Sequence, residues 1–356
     1  MEFAYNKIDQ RSEIRDQRSE IRDQRSEPVL LSVITSTFNR ADMLKRSVDS
    51  VLNQNLKNIE HIIIDNCSTD DTEQLVKNIQ AKDPRVIYIK NTISVRQEEN
   101  RGRGLTKARG KYIAFIDDDD YYTDMDFFKR AVEIFENNPE KNLAFVAANV
   151  EIKNEDSGEI SRNDIGATGY MSGMDYIFNP NNDHHKPIST FPAVRKAEYL
   201  KQAGLCDKFI FDTNSYYYSA LYGGVYLLPD VIGVYVVHNK SQTVGYHKGD
   251  DEYIKKFLLA HSESLKQYKE LRDILYTRMN KKIVSRWYAS TIVGFNQWCF
   301  ISVSKFSERI YMSLKTWRSS GYMPRVIFYF VKAFLRPRLS KITPLKKLYR
   351  FLKGKR

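Results

Sequence analysis

From residue 28 onward the chain alternates between two spacings of apolar residues. Short, mostly apolar segments over Val29–Thr35, Ile59–Asp65 and Val86–Ile89 read as strands, and the continuous apolar run Tyr112–Ile116, bounded by turn residues, reads as a buried one. Between them the apolar positions recur at helical spacing. Leu44, Val48, Val51 and Leu52 share one face of a helix over Ala41–Asn53, and further helices are expected over Asp70–Ala81 and, despite Gly102 and Gly104, over Gln97–Arg109. Strands that alternate with helices predict an α/β fold with a mostly parallel sheet flanked by helices on both faces.

Residues 143–250 are less regular. Leu143–Ile152 and Val225–Val237 read as strands; Tyr170–Phe178, Arg195–Ala203 and Thr213–Tyr222 read as helices. Tyr253–Leu275 places Ile254, Phe257, Leu258, Leu265, Leu271 and Leu275 at amphipathic spacing. Ahead of the α/β pattern, residues 9–27 repeat the unit DQRSEIR, with Ile14 or Ile21 as the apolar position. A coiled-coil seam needs two apolar positions per heptad, so this leader is expected to be disordered or a solvated helix. The expected organisation is a charged leader over 1–27, an α/β domain over 28–250 and a basic helical region over 251–356.

Composition sharpens this outline. The net charge of +12 is unevenly placed: residues 306–356 hold fourteen Lys or Arg against Glu308 alone, which leaves residues 1–305 close to neutral. Trp317, Tyr322, Phe328, Tyr329, Phe330, Phe334, Tyr349 and Phe351 interleave with those basic residues. Aromatic and basic side chains in one segment suit an anionic membrane surface, with a helical cap on the core or a dimer contact as the plainer reading. No recognition motif supports nucleic acid as the partner. Cys67, Cys206 and Cys299 are sparse and far apart, as expected in a reducing compartment. The first residues carry no apolar signal core, and no run approaches the ~20 apolar residues that cross a bilayer. The expected location is cytoplasmic, peripheral on the membrane face.

The candidate chemistry lies where strands end. Asp117, Asp118, Asp119 and Asp120 follow directly on Tyr112–Ile116. Four consecutive carboxylates repel one another unless a cation is present. A hard divalent ion takes such oxygens, usually shared with phosphate. A solvated acidic turn is the bland alternative, but open α/β sheets bind ligands at the carboxyl ends of their strands. The first strand ends in Ser36-Thr37-Phe38-Asn39-Arg40 and the second in Asp65-Asn66-Cys67-Ser68-Thr69-Asp70-Asp71-Thr72. Phe38 can stack on a base, and Asp65 or Asn66 can bond its edge. Ser68 or Thr69 can equally cap the helix that follows.

These segments resemble glycosyltransferase family 2, with its Rossmann-like GT-A fold. Ser36–Arg40 is similar to the family's PTYNR, with Ser36 for proline and Phe38 for tyrosine. Asp65–Thr72 is similar to DDGSTDxT, with Asn66 for the second aspartate and Cys67 for glycine. Asn100–Gly104 resembles the ARNxG helix, with Arg101 at its arginine. Phe115–Asp120 is similar to FLDxDD, which makes Asp117 and Asp119 the DxD pair. Ala203–Gly224 resembles the stretch that carries the family's ED dipeptide, with Phe211 for the glutamate and Asp212 at the aspartate. Tyr235–Thr243 resembles YRxHxxSxT, with Val236 for arginine and His238 at the histidine. The resemblance implies a metal-dependent, inverting transfer from a nucleotide-diphosphate sugar, a UDP-sugar by preference. The acceptor would be a hydroxyl of a saccharide or lipid-linked saccharide in cell-surface polysaccharide synthesis. Ser36, Phe38, Asn39, Asp65, Asn66, Arg101, Asp117 and Asp118 would bind the donor nucleotide. Asp119 and His238 would hold Mn²⁺ or Mg²⁺, and Asp212 would be the general base, although a helix N-cap explains it as simply. A non-catalytic nucleotide-sugar or membrane-surface binding protein is the alternative.

Overall fold

The computed structural model describes residues 28–166, 168–179, 187, 189–206, 212–239, 241, 251–288 and 291–292. The heptad leader and the basic tail fall outside the described residues. Two compact units divide the described residues: those within 28–151, 162–206 and 219–235 form the first, and those within 152–161, 212–218 and 236–292 the second.

The first unit opens with the expected alternation: β1 (Leu31–Thr37), α1 (Ala41–Leu52), β2 (Ile59–Asp65), α2 (Thr72–Gln80), β3 (Val86–Lys90), α3 (Gln97–Lys107) and β4 (Tyr112–Asp117). There follow β5 (Tyr121–Tyr122), α4 (Phe127–Glu136), β6 (Leu143–Asn154), β7 (Ile160–Asn163), β8 (Gly169–Met171), α5 (Gly173–Phe178), β9 (Ala193–Lys196), α6 (Ala197–Gln202), α7 (Asp212–Ala220) and β10 (Gly224–Val237). The strands run in the order β3-β2-β1-β4-β9-β6-β10-β5. β1 pairs in parallel with β2 and β4, and β2 with β3, whereas β9 is antiparallel to β4 and β6.

Side chains alternate across these strands, and the two faces bury different helices. Ile62 and Ile64 of β2 pack with Ile34, Ile113 and Leu105 on the α3 side. Ile63 between them packs with Leu44 and Val48 of α1 and Val76 of α2. A third cluster joins Leu31, Val33 and Tyr112 to Phe127, Phe128, Ala131 and Phe135 of α4. Each fully buried side chain of this size stabilises by about 1.5–3 kcal/mol. Gly104 lets α3 lie close to the sheet, because a Cβ there would come 2.5 Å from Ile34 Cγ2.

Three sequence expectations are revised. Tyr170 starts no helix; it pairs with Tyr226 in β8, and the helix begins only after Ser172, whose hydroxyl accepts the Asp175 amide. Arg195 is likewise a strand residue, facing Ile113 and Phe145, so the helix expected from it begins at Ala197. α4 was not expected, although Phe127, Phe128, Ala131, Val132 and Phe135 give it a clear buried face.

In the second unit α8 (Asp251–Arg278) takes the place of the amphipathic helix expected over Tyr253–Leu275. Within that unit Leu265, Tyr268, Leu271 and Leu275 are buried, and Asn214 donates to Ser264 Oγ at 3.0 Å and Gln267 Oε1 at 2.8 Å. No helix among the described residues is long and apolar enough to cross a membrane.

Candidate functional site

The register of the parallel strands assembles the site. Thr37 lies beside Asp65, and Ser36 lies between Ile64 and Asp117, so β1, β2 and β4 end at one level. The residues after each strand therefore share one edge of the sheet: Phe38–Arg40, Asn66–Ser68 and Asp118–Asp120. The turn after β2 needs a left-handed residue, and Cys67 takes it at φ 69°. That conformation accounts for glycine at the matching family position, since a Cβ costs roughly 1–2 kcal/mol there. Asn39 is also left-handed, at φ 52°, and its Oδ1 accepts the Thr69 amide at 2.8 Å, which ties the two turns together.

Arginines compensate the acidic run. Arg40 Nη1 donates to Asp118 Oδ1 at 2.8 Å and to Asp119 Oδ2 at 2.9 Å. Arg101 pairs with Asp117, whose Oδ1 also accepts Gln97 Nε2 at 3.1 Å. Asp118 Oδ2 accepts the Thr37 hydroxyl at 2.8 Å. The Asp117 and Asp119 carbonyls are held from α1, by Ser47 Oγ at 3.1 Å and Arg46 Nη2 at 3.0 Å. Burial pushes the Asp118 carboxyl up from 3.8 to about 6; Arg40 pulls it down, Asp119 adds to the rise, and the Thr37 bond opposes it. Burial also disfavours the Arg40 charge, but Asp118, Asp119 and Asp117 more than offset that and hold it protonated. The pair is thus a charged one in which the guanidinium gains and the buried Asp118 carboxylate is held at some cost.

The predicted nucleotide residues divide by exposure. Phe38 is 50% exposed at the end of β1 and presents an open aromatic face. Asp65 is fully buried; its oxygens accept the Ser68 amide at 2.7 Å and the Tyr88 hydroxyl at 2.6 Å. Asn66 is bonded to Val95, and Ser36 to the Asn100 amide. Arg101 and Asp117 pair, and Asp118 lies beneath the site. Asp212 and His238 fall in the second unit and are described apart from this edge. Asp212 opens α7, and its side chain lies outside the described residues. His238 is buried, and its backbone N–H donates to Ser241 Oγ at 3.0 Å within the same tight turn.

The chemistry of the donors suits a hard divalent cation. No group of three His, Cys, Asp or Glu positioned for a metal occurs among the described residues. Ions of the Mg²⁺ type are commonly held by one or two carboxylates and completed by substrate phosphate and water. The Asp117 and Asp119 side chains retain 17% and 12% exposure and supply oxygens alone, so they fit that mode. Asp118, with one oxygen on Thr37 and the other on Arg40, serves the frame instead.

Sequence reasoning overlooked several of the residues that hold this edge. Arg40 and Thr37 lie inside a motif whose neighbours were read as the binding residues. Asn91 carries no signal in a single sequence, and Asn100 only opens a segment matched for Arg101, because a buried amide network becomes visible only when strands and α3 are brought together.

A sequence model of the family described as Glycosyl transferase family 2 matches residues 32–202. Among curated proteins the chain is similar to GalNAc(5)-diNAcBac-PP-undecaprenol beta-1,3-glucosyltransferase of Campylobacter jejuni, 41% identical over 91 residues, or 25% of this chain and 29% of that protein. It is similar to UDP-Glc:alpha-D-GlcNAc-diphosphoundecaprenol beta-1,3-glucosyltransferase WfaP of Escherichia coli, 44% identical over 93 residues, or 26% of this chain and 36% of that protein. These matches span about a third of the length of the curated relatives. Among solved structures, TarS residues 1–349 of S. aureus with UDP-GlcNAc aligns at TM-score 0.51 and 15% identity, over 82% of this chain and 89% of that one. The mannosyltransferase PcManGT of Pyrobaculum calidifontis, with GDP-Man and Mn²⁺, aligns at TM-score 0.50 and 13% identity, over 92% of this chain and 85% of that one. The shared architecture is the GT-A fold.

Proposed function

Because this chain belongs to glycosyltransferase family 2, we propose that it transfers a sugar from a nucleotide-diphosphate donor, a UDP-sugar by preference, to a hydroxyl of a lipid-linked saccharide in cell-surface polysaccharide assembly. The observation that carries the reading is the convergence of Phe38, Arg40, Arg101 and Asp117–Asp119 on the carboxyl edge of a parallel sheet. The relatives' names support the substrate classes: both specify a glucosyltransferase with an undecaprenol-diphosphate-linked acceptor, and that of WfaP specifies UDP-Glc as donor.

In this reading Phe38 stacks on the base, and Arg101 and Arg40 face the diphosphate from either side of the acidic run. Asp119, with Asp117 beside it, would hold Mn²⁺ or Mg²⁺, with His238 as a further ligand or diphosphate contact. When bound, the ion offsets negative charge on the leaving diphosphate. Asp212 takes the proton of the acceptor hydroxyl as it attacks the anomeric carbon from the face opposite the leaving group. A single displacement inverts the anomeric configuration and needs no covalent enzyme intermediate. The basic, aromatic segment over residues 306–356 would hold the chain on the cytoplasmic membrane face, where each basic residue is worth about 1 kcal/mol. That places it beside a lipid-linked acceptor.

The test is nucleoside-diphosphate release from a panel of UDP-, GDP- and dTDP-sugars with Mn²⁺ or Mg²⁺, with and without a polyprenyl-diphosphate saccharide, against Asp119→Ala. Metal-dependent release by the native protein alone is the expected outcome. Silence with every donor and acceptor, together with nucleotide binding, would instead establish a non-catalytic binding protein.

A further inference from the structure

We propose that Asn66 governs base recognition as a positioning residue: it fastens the loop over residues 91–96 through Val95, and Ser94 on that loop meets the base edge. The inference rests on the nucleotide-binding reading above and alters which atoms perform it.

A side-chain amide has two N–H donors and an oxygen with two acceptor sites. At Asn66 all four are taken. Oδ1 accepts the Val95 amide at 2.8 Å and Asn91 Nδ2 at 3.2 Å; Nδ2 donates to the Val95 carbonyl at 2.8 Å and to Ser94 Oγ at 3.2 Å. The pair of hydrogen bonds with Val95 imitates one rung of a β-ladder. It also fixes which end of the amide is oxygen, because Val95 offers one donor and one acceptor. To read a base edge, this amide would have to give up a bond that holds the loop. A carboxylate at this position could not make the pairing, since it has no N–H for the Val95 carbonyl. The departure from the family's aspartate therefore has a local cause.

Two buried amides anchor the clamp from behind. Asn91 Nδ2 also donates to Asn100 Oδ1 at 2.7 Å, and Asn91 Oδ1 accepts Arg103 Nη1 at 3.0 Å. Asn100 Nδ2 donates to Ser36 Oγ and to the Ile64 carbonyl, the latter at 2.9 Å. The loop is thus wired to the ends of β1 and β2. Ser36 stands where the family has proline, and its hydroxyl is what receives the Asn100 amide.

What this frame leaves open is the rim. Ile93 is 65% exposed, Ser94 is exposed, and Phe38 is 50% exposed. The strand order β3-β2-β1 puts Asn66 between the loop that carries Ile93 and Ser94 and the turn that carries Phe38. A planar base over the end of β2 would have Phe38 on one side and the loop on the other. Ser94 Oγ accepts from Asn66, so its own proton remains for a carbonyl oxygen of the base. Uracil, thymine and guanine offer one; adenine does not.

The experiment pairs binding with loop protection. UDP, GDP and ADP affinities are measured by calorimetry with Mn²⁺, and amide hydrogen exchange is followed on peptides spanning 91–97 in nucleotide-free protein. The variants are Asn66→Asp, which is isosteric, and Ser94→Ala, which is exposed. Asn66→Asp should speed exchange at Val95 and weaken the preferred nucleotide about tenfold, the equivalent of one or two lost hydrogen bonds. Ser94→Ala should weaken it without faster exchange and narrow the margin over ADP. If Asn66→Asp binds as tightly as the native protein or tighter, position 66 reads a ring N–H directly and the proposal fails. Faster exchange with unchanged affinity also overturns it. A native protein that binds none of the three nucleotides removes the nucleotide-site reading itself.

Discussion

Replacing Arg40 by methionine isolates the question of what neutralises the acidic edge. The guanidinium bridges Asp118 and Asp119 at 2.8 and 2.9 Å, and the three side chains retain 23%, 5% and 12% exposure. Removing one partner of a fully buried pair costs about 3–5 kcal/mol. Arg40 is partly solvated, so screening brings the expected loss to roughly 2–3 kcal/mol. For a unit of this size that corresponds to about 4–12 °C in Tm. The loss has a pH signature. The folded Asp118 carboxyl titrates near 6, above its ordinary 3.8, so the fold favours its neutral form. Without Arg40 the ionised form is opposed further and the carboxyl titrates higher still, so the destabilisation is full above the variant's raised pKa, shrinks as pH falls through it, and is smallest below the native value near 6. Mn²⁺ should reverse the loss by taking the place of the guanidinium, since a ligand at a hundred times its Kd stabilises by about 2.7 kcal/mol. The assay is thermal and urea unfolding of native protein and Arg40→Met, in EDTA and in Mn²⁺, from pH 5 to 8. A variant as stable as native in EDTA at pH 8, or a deficit that grows on acidification, would refute the account of Arg40 as the resident counter-charge.

Other expectations concern single positions. Asp212→Asn should lower turnover about 10²- to 10⁴-fold while leaving UDP affinity unchanged, as read by the split between kcat and nucleotide binding. Phe38→Ala should raise the Kd for UDP about tenfold, within the 1–3 kcal/mol typical of base stacking on an aromatic ring, as read by calorimetry. Burial, reinforced by Arg85, holds the His61 imidazole down from 6.5 to about 3. Its contribution to stability is complete above pH 6.5 and is lost as pH falls toward 3, by up to about 1.4 kcal/mol per pH unit. His61→Gln should flatten that limb of the urea midpoint against pH.

The parallel half of the fold was legible because its strands are short, mostly apolar segments and α1 and α2 each have one apolar face. Val86–Ile89, Tyr112–Ile116 and the α1 face needed nothing beyond spacing. Legibility failed where a residue's partner is distant. Tyr170 and Arg195 sit in helix-like neighbourhoods but pair with Tyr226 and with Ile113 and Phe145, and tertiary pairing overrides local preference. The site shows the same division. The aspartate run and Phe38 announce themselves by residue type at a strand end. The commitment of Asp65 to Ser68 and Tyr88, and of Asn66 to Val95, depends on turns whose geometry a sequence does not state.

α3 carries Asn100 and Arg101 on consecutive residues, one bonded to Ser36 and the other to Asp117. Two glycines set its standoff: a Cβ on Gly104 would meet Ile34 at 2.5 Å, and one on Gly102 would meet the Cys206 carbonyl at 2.7 Å. The helix therefore acts as a gauge block, and its thickness fixes the span between the end of β1, held at Ser36, and the end of β4, held at Asp117. A methyl added at Gly104 would displace both contacts by one rigid shift, so its effect would be epistatic with substitutions at either residue. On the proposed reading, diversification aimed at new donors is best directed at Phe38 and the loop over 92–94, with α3 left at its present standoff.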